Sequence, residues 1–184
     1  MGDPRHAKKQ YSKPRVPWQS DRLNEERGYM QRFGLRRKKE VYRAESKLKK
    51  YKEVAKRLVG KEDAQSLKEK EQLFSTLQKY GLLQEPTLTS VLSISLEQIL
   101  ERRLQSQLVH KDLAASVKQA RQLIVHRHVT VGGKKVSSPG YLVTVEEEST
   151  VAFHPTSPYA DEDHPERYMP KPVPTANDEK EEEE

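Results

Sequence analysis

The chain has 184 residues, which is enough for one or two small domains. Only 33% of its residues are hydrophobic and 34% are charged, so it cannot bury a large core throughout its length. It contains no cysteine, which excludes disulfides and thiolate zinc sites. No apolar run reaches the roughly 18 residues of a membrane span, and the basic N-terminus lacks the apolar core of a signal peptide. We therefore expect a soluble, intracellular protein with no membrane partner.

The net charge of +6 hides a strong asymmetry along the chain. Residues 1–60 carry a net charge of +12 and residues 100–145 carry +6, whereas residues 146–184 carry −10. Two basic blocks indicate a polyanionic partner, and the acidic end is expected to stay out of that contact.

Residues 1–19 are predicted to form a basic, extended arm. Three prolines interrupt this segment, and no apolar period appears in it. Tyr11 and Trp18 are its large side chains. We expect Trp18 to pack against the following helix; stacking on a base or sugar is the alternative.

Residues 20–94 are predicted to form a helical N-terminal domain. A first helix spans Asp21–Phe33 and a longer one spans Lys38–Val59, and Gly34 and Gly60 end them. The apolar residues of the longer helix form one narrow stripe, and cations crowd the rest of its surface. Because unpaired like charges along a helix repel each other, this density indicates nucleic-acid contact rather than a solvated face. The candidate RNA-binding residues here are Arg36, Arg37, Lys38, Lys39, Arg43, Lys47 and Lys50.

A third helix is predicted from Ser66 to Tyr80. Ser66–Glu69 has the form of a capping box, and Leu67 is expected to be buried with the apolar residues that follow it. This segment is close to neutral, which is typical of a scaffold. Residues 82–92 are expected to be an irregular connection around Pro86.

The next capping box, Ser95–Gln98, predicts a helix that continues to about Leu108. This helix contains Arg102 and Arg103, and two adjacent residues cannot both face the core. At least one of the pair is therefore a candidate for phosphate contact. An ion pair of Arg103 with a nearby acidic residue, Glu101 or Asp112, is the alternative.

A third capping box, Ser116–Gln119, begins a short helix that ends near His126. Lys118, Arg121 and Gln122 recur at a spacing of three and four residues, so they are predicted to form one outward patch. Arginine can fork onto phosphates, and glutamine can bond 2′-hydroxyl groups. The candidate RNA-binding residues of this half are Arg102, Arg103, Lys118, Gln119, Arg121, Gln122, His126, Arg127, His128, Lys134 and Lys135.

Short strands are predicted after this helix. Val129–Val131 meets Gly132-Gly133, a turn pair that tolerates positive φ, and the chain returns with Lys134–Val136. Tyr141–Val145 and Thr150–Phe153 also alternate as strands do. The three glutamates between them are expected to form a loop.

The fold class predicted from these elements is α+β. A helical basic N-terminal region packs with a module at residues 95–153, in which two or three helices lie on a small, mostly antiparallel sheet. Residues 154–184 contain six prolines and end in four glutamates. They are expected to form a proline-rich strap along the surface and a disordered acidic tail.

Several of these segments resemble a known family. Leu100–Leu104, the Ser116–Ile124 run, His126–Val129 and the Pro139–Tyr141 turn resemble the S-four RNA-binding domain. Further motifs resemble the archaeal type of the small-subunit ribosomal protein S-four family, whose eukaryotic counterpart is ribosomal protein S-nine. These motifs are Pro17-Trp18, Phe33-Gly34-Leu35-Arg36 and Tyr80-Gly81-Leu82-Leu83, together with the basic helix between them.

The resemblance covers residues 1–170 and implies a protein that binds small-subunit ribosomal RNA directly. It implies docking on a helical junction of the 5′ domain, nucleation of the assembly of the subunit body and support of translational accuracy. It also implies the fifth small-subunit protein as a neighbour, and proximity to the messenger entry path. Where many relatives have Gly-Asp before the last strand, this chain has Glu146–Glu148, so the resemblance does not carry an RNA contact over to that loop, which could touch RNA or protein.

No enzyme, cofactor or metal is predicted. His126 and His128 lack a third ligand nearby, and Gly132–Lys135 departs twice from the phosphate-loop pattern. An RNA-modifying enzyme with an S-four module would need a separate catalytic domain, for which the flanking segments are too short. A free-standing stress protein that binds RNA is the other alternative, and the long basic N-terminal block argues against it.

Overall fold

The computed structural model describes residues 9–161 and 164–165. The first three helices are α1 (Ser20–Arg32), α2 (Lys38–Leu58) and α3 (Ala64–Lys79). A backbone hydrogen bond back to the last turn ends both α1 and α3. The amide of Leu35 donates to the carbonyl of Met30 after α1, and the amide of Leu82 donates to that of Leu77 after α3, each at 3.0 Å. The glycine inside each closure has a positive φ, as this type of helix end requires.

The apolar stripe of α2 buries against the neighbouring helices. Val41 and Ala55 are fully buried, and α1, α3 and two later helices supply the other side of this core. The arm before α1 lies along the polar side of α2, where the backbone amide of Ser12 donates to Ser46 at 3.1 Å. The core therefore fixes α2 with its cationic side outward.

Four expectations for this half are wrong. Helix α3 begins at Ala64, so Ser66 is a buried residue within the helix, and Leu67 is 49% exposed. Residues 88–93 are not irregular but form helix α4 (Leu88–Ser93), because Thr87 caps it by accepting a hydrogen bond from the amide of Ser90. Trp18 is 86% exposed and does not pack against α1.

The predicted helix from Ser95 is two helices, α5 (Leu96–Glu101) and α6 (Leu104–His110). The Ser95 capping box is present. The break arises because the chain between the helices pairs with a distant segment: Val143 donates to the carbonyl of Arg102, and Leu104 donates to the carbonyl of Tyr141. A single antiparallel bridge joins Arg103 to Leu142 in the same place.

A small antiparallel sheet follows helix α7 (Val117–Val125). The order of its strands is β2 (Lys134–Lys135), β1 (Val129–Val131) and β3 (Ala152–Phe153), with β1 in the centre. Its hairpin turn is the predicted glycine pair, and both glycines have positive φ. The α+β class and the small antiparallel sheet are confirmed.

The segment predicted as a strand at Tyr141–Val145 forms only the bridge to Arg103. The expected glutamate loop is a helical turn, α8 (Val145–Glu148), because Thr144 and Glu147 form a capping box. The hydroxyl of Tyr141 donates to Glu147 at 2.7 Å, and this bond, with burial, raises the pKa of Tyr141 to about 12.

The start of the predicted strap folds back onto the sheet. A 3-10 turn at Pro158–Ala160 places the ring of Tyr159 with its centroid 5.1 Å from that of His128. The acidic tail and most of the strap lie outside the described residues. Among the helices of residues 9–161, none combines the length and the apolar character that a membrane crossing requires.

Candidate RNA-binding cleft

A cavity of about 420 Å³ lies between α2 and the turn at residues 138–140. We call it the cationic cleft. Among the described residues that line it, Glu40 is the one acidic side chain. The basic lining residues come from both halves of the chain: Arg36, Arg37, Lys39, Arg43, Lys47, Arg103 and Arg121.

The base of the cationic cleft is an ion-pair hub at Glu40. Its Oε2 accepts from Nη2 of Arg103 at 2.6 Å, and its Oε1 accepts from Nη2 of Arg121 at 2.9 Å. Burial alone would raise the pKa of Glu40, but the hydrogen bonds and charges of the two arginines outweigh it and lower the pKa. One carboxylate therefore holds two guanidinium groups from the C-terminal half against α2.

The hub is extended by a buried amide. Gln105 is fully buried, and its Nε2 donates to the carbonyls of Gly34 at 3.1 Å and Val117 at 2.8 Å. The guanidinium of Arg121 also donates to the Gly34 carbonyl at 3.5 Å. The turn between α1 and α2 is thus bonded to both α6 and α7.

The rim of the cleft is built by the exposed side of α2. Lys39, Arg43 and Lys47 recur every four residues, so they lie along one side of the helix, and all three are exposed. Arg36 and Arg37 are exposed where the helix begins. Five cations therefore face solvent at the mouth of the cleft.

Two of the predicted α2 residues lie elsewhere. The ammonium of Lys38 is 2.9 Å from a carboxylate oxygen of Glu26, which is 2% exposed, so this lysine serves an internal ion pair. Lys50 lines a separate hollow beside the arm, together with Lys9 and Tyr11. Sequence periodicity could not separate these roles, because Glu26 belongs to another helix.

Arg102 and Arg103 both turn inward, contrary to expectation. Their side chains are 15% and 7% exposed. Arg102 donates to Glu148 at 2.9 Å and to the carbonyl of Val143 at 3.1 Å, while Arg103 bonds Glu40. Arg103 does form an ion pair within the protein, which was the alternative to phosphate contact, but its partner is Glu40 rather than Glu101 or Asp112. Each arginine is buried because a carboxylate distant in sequence neutralises it.

The predicted outward patch on α7 is split. Lys118 and Gln122 are exposed, but Arg121 leans across to Glu40 with its side chain 24% exposed. Ser116 caps the helix as expected; the side chain of Gln119, however, accepts from the amide of Ala115 at 2.8 Å. Of the predicted patch, Lys118 and Gln122 are left facing solvent.

The corner between α7 and β1, together with strand β2, presents further polar and basic side chains. His126 and Arg127 are exposed, and so are Lys134 and Lys135 on β2. His128 is half-buried, with its Nδ1 2.9 Å from the hydroxyl oxygen of Ser157. Burial and the neighbouring His126 lower the pKa of His128, which favours the neutral ring. No group of three potential metal-ligating side chains occurs within residues 9–161 and 164–165.

Sequence reasoning missed Glu40 and Gln105. Glu40 had a signal, since it is the one acidic residue in the cationic run from Arg36 to Arg43. Gln105 had a weaker signal. It directly follows Leu104, and the spacing of apolar residues in this segment does not decide whether position 105 is buried.

Comparison with known proteins agrees with this architecture. Residues 102–149 match the model of the S4 domain family. The small ribosomal subunit protein uS4 of Methanococcus maripaludis strain C7 is 48% identical over 169 residues, which is 91% of this chain and 95% of that protein. Those of Methanococcus vannielii and Methanococcus aeolicus are 47% and 46% identical over the same share of this chain, covering 95% and 96% of their own lengths. The chain therefore belongs to the uS4 family of small ribosomal subunit proteins.

Proposed function

We propose that this chain is a structural constituent of the small ribosomal subunit that binds small-subunit rRNA directly. The observation that carries this proposal is the cationic cleft, where seven basic residues from both halves converge around one carboxylate. The names of the uS4 relatives support a ribosomal role, and the S4 domain match covers one wall of the cleft.

The cleft suits the backbone of folded RNA. Binding there neutralises phosphates and releases counterions, so the affinity falls steeply with salt. Exposed lysines and arginines at the rim contact phosphates, while A-form helices are recognised by their shape and 2′-hydroxyls rather than through the deep major groove. The hub at Glu40 holds the two walls at a fixed separation before RNA arrives.

The site extends beyond the cleft over further polar and basic side chains. Its C-terminal part consists of Lys118 and Gln122 on α7, the His126–His128 corner and the β2 lysines. Arg102, Arg103, Lys38 and Gln119 act by positioning, because their side chains are bonded within the protein.

The family resemblance supports a finer assignment. The RNA target is a helical junction of the 5′ domain, and binding there nucleates assembly of the subunit body and supports translational accuracy. The fifth small-subunit protein is a neighbour near the messenger entry path, and the subunit is cytoplasmic. The functional divisions are the arm (residues 1–19), the helical region (20–94), the module (95–153), and the strap and tail (154–184). The role is structural and needs no catalytic site.

A salt titration of RNA binding tests the cleft. The cleft variant combines Lys39→Gln and Lys47→Gln. The matched control combines Lys61→Gln and Lys68→Gln. Both variants lose two charges, and the control lysines are exposed and do not line the cleft. On a transcript of the 5′ domain, the cleft variant should bind more weakly and its log–log salt slope should flatten by about 2.

Equal binding by the cleft and control variants would contradict the cleft assignment. Crosslinking in cells followed by sequencing of the bound RNA tests the target. Recovery of one site in small-subunit rRNA supports the proposal, whereas scattered RNAs or another single RNA would refute it.

A further inference from the structure

Trp18 is a large aromatic side chain that the fold holds in solvent. It is 86% exposed, although burial of a tryptophan is among the largest hydrophobic gains available to a chain. It lies immediately before α1, outside the cationic cleft. An exposed aromatic side chain on a loosely held segment would need no explanation. The hydrogen bonds that hold this segment therefore decide whether the exposure of Trp18 indicates a function.

The segment that carries Trp18 is bonded firmly to the helices. Nη2 of Arg22 donates to the carbonyls of Val16 and Pro17, both at 2.9 Å, and its Nη1 donates to Glu26 at 2.7 Å. Each carbonyl belongs to one of the two residues that precede the tryptophan. Arg22 therefore fixes the backbone that presents the indole ring.

The anchor of Arg22 is itself buried. Glu26 is 2% exposed and is also paired with Lys38 of α2 at 2.9 Å. The hydroxyl of Tyr42, one turn further along α2, donates to the same carboxylate at 3.4 Å. The exposed ring is thus connected through two ion pairs to the helix that forms the rim of the cleft, and a partner need not order it on binding.

The charge around the ring indicates which partner it meets. Lys13 and Arg15, within five residues before the ring, are exposed, and the nearest acidic residue in sequence is Asp21 in the first turn of α1. A flat π face on a basic segment suits an unpaired nucleotide, because the base stacks on the ring while the cations of the segment attract its phosphates. A fully paired duplex offers no such face, since its bases are already stacked on both sides.

We propose that Trp18 is a stacking site for an unpaired base of small-subunit rRNA. The inference rests on the proposed function and adds a second contact of a different kind. The cleft supplies charge neutralisation, whereas Trp18 supplies an uncharged contact that distinguishes an unpaired nucleotide from a helix. Phosphates then bind in the cleft, on the α2 side of the Glu26–Lys38 ion pair, and the base stacks on the arm, on the α1 side of that pair.

The test uses the fact that Trp18 is the only tryptophan of the chain. The intrinsic fluorescence of the full-length protein reports on this one ring. Titration with a 5′-domain transcript should quench the emission and protect the ring from acrylamide, whereas a uniform RNA duplex should do neither. Trp18→Ala should weaken binding to the transcript by about tenfold, with an unchanged salt slope because no charge is lost.

Two variants separate stacking from general apolar contact. Trp18→Phe keeps a π face and should retain most of the affinity. Val16→Ala removes exposed apolar surface from the same segment, where Val16 is 62% exposed, and should bind as wild type does. Since both positions are exposed, circular dichroism should show folded protein for all three variants.

Unchanged fluorescence on a transcript that the protein binds would overturn the inference and leave the proposed function standing. The inference also fails if the ring becomes protected only after other ribosomal proteins are added, since a protein surface would then cover it. Failure of the wild-type protein to bind the transcript would refute the proposed function, and the inference with it.

Discussion

Glu40 and Arg121 lie 81 positions apart in the chain and form a bidentate ion pair. Both terminal nitrogens of the guanidinium donate to the carboxylate, at 2.9 Å and 3.2 Å. One residue is on α2 and the other on α7, so the pair joins the helical region to the S4 module. Because both side chains also line the cationic cleft, the joint between the two halves is part of the proposed RNA-binding surface.

Glu40→Gln should destabilise the protein by about 1–3 kcal/mol, because a neutral amide leaves two guanidinium groups without a counter-charge. The measurement is the free energy of unfolding in urea. The control is Glu97→Gln, which removes an exposed pair with Arg32 and should cost at most about 1 kcal/mol. Equal effects of the two substitutions would show that the hub does not hold the two halves together.

The stabilisation by Glu40 should depend on pH. Its pKa is lowered in the folded protein, so its contribution is fully present above the unfolded-state value and is lost as the pH falls through the folded-state value. The difference in unfolding free energy between wild type and Glu40→Gln should be constant above about pH 5.5 and shrink on acidification. Other carboxylates, including Glu147, titrate in both proteins, so their contributions cancel in this difference of unfolding free energies. A difference that grew towards acid pH would contradict this.

Much of the fold could be predicted because the signals are local. Gly34 and Gly60 mark helix ends, Ser95 and Ser116 accept capping bonds, and the glycine pair after β1 forms the hairpin turn. Each of these features depends on residues within a few positions of one another. The charge density of α2 likewise predicted that this helix would expose cations.

The errors arise where distant segments decide the outcome. The helix from Ser95 breaks because residues 141–143 offer backbone partners about 40 positions later. Arg102 and Arg103 turn inward because Glu148 and Glu40 neutralise them from other elements. No pattern of apolar spacing contains this information, so the sequence identified cations without showing which of them face solvent.

Gly34→Ala should cost more stability than Gly60→Ala. Both glycines have positive φ, which costs any other residue about 1–2 kcal/mol. At Gly60 a Cβ meets nothing within 4 Å, whereas at Gly34 it would lie 2.8 Å from Nε2 of Gln105 on α6 and 3.1 Å from Cβ of Val117 on α7. The difference between the two free energies of unfolding therefore reports the close approach of the α1–α2 turn to both helices. Equal losses would show that these two side chains move away without cost.

Arg127 occupies the position after α7 where glycine is preferred. Its φ is +64°, and the bonds from its amide to Ile124 and from His128 to Leu123 close the helix end. A non-glycine residue in this conformation costs about 1–2 kcal/mol, so Arg127→Gly should stabilise the protein by about 1 kcal/mol. The strained position keeps a cation exposed at the corner between α7 and β1, which we propose to contact RNA.

The same substitution should weaken binding to the 5′-domain transcript and flatten the salt slope by about 1, because one phosphate contact is lost. Arg127→Gln is the matched control: it removes the charge but keeps a Cβ at positive φ. It should therefore lose the same RNA affinity without gaining stability. If Arg127→Gly gained stability and bound RNA as tightly as wild type, the cation at this corner would have no part in RNA binding, and the strain would need another cause.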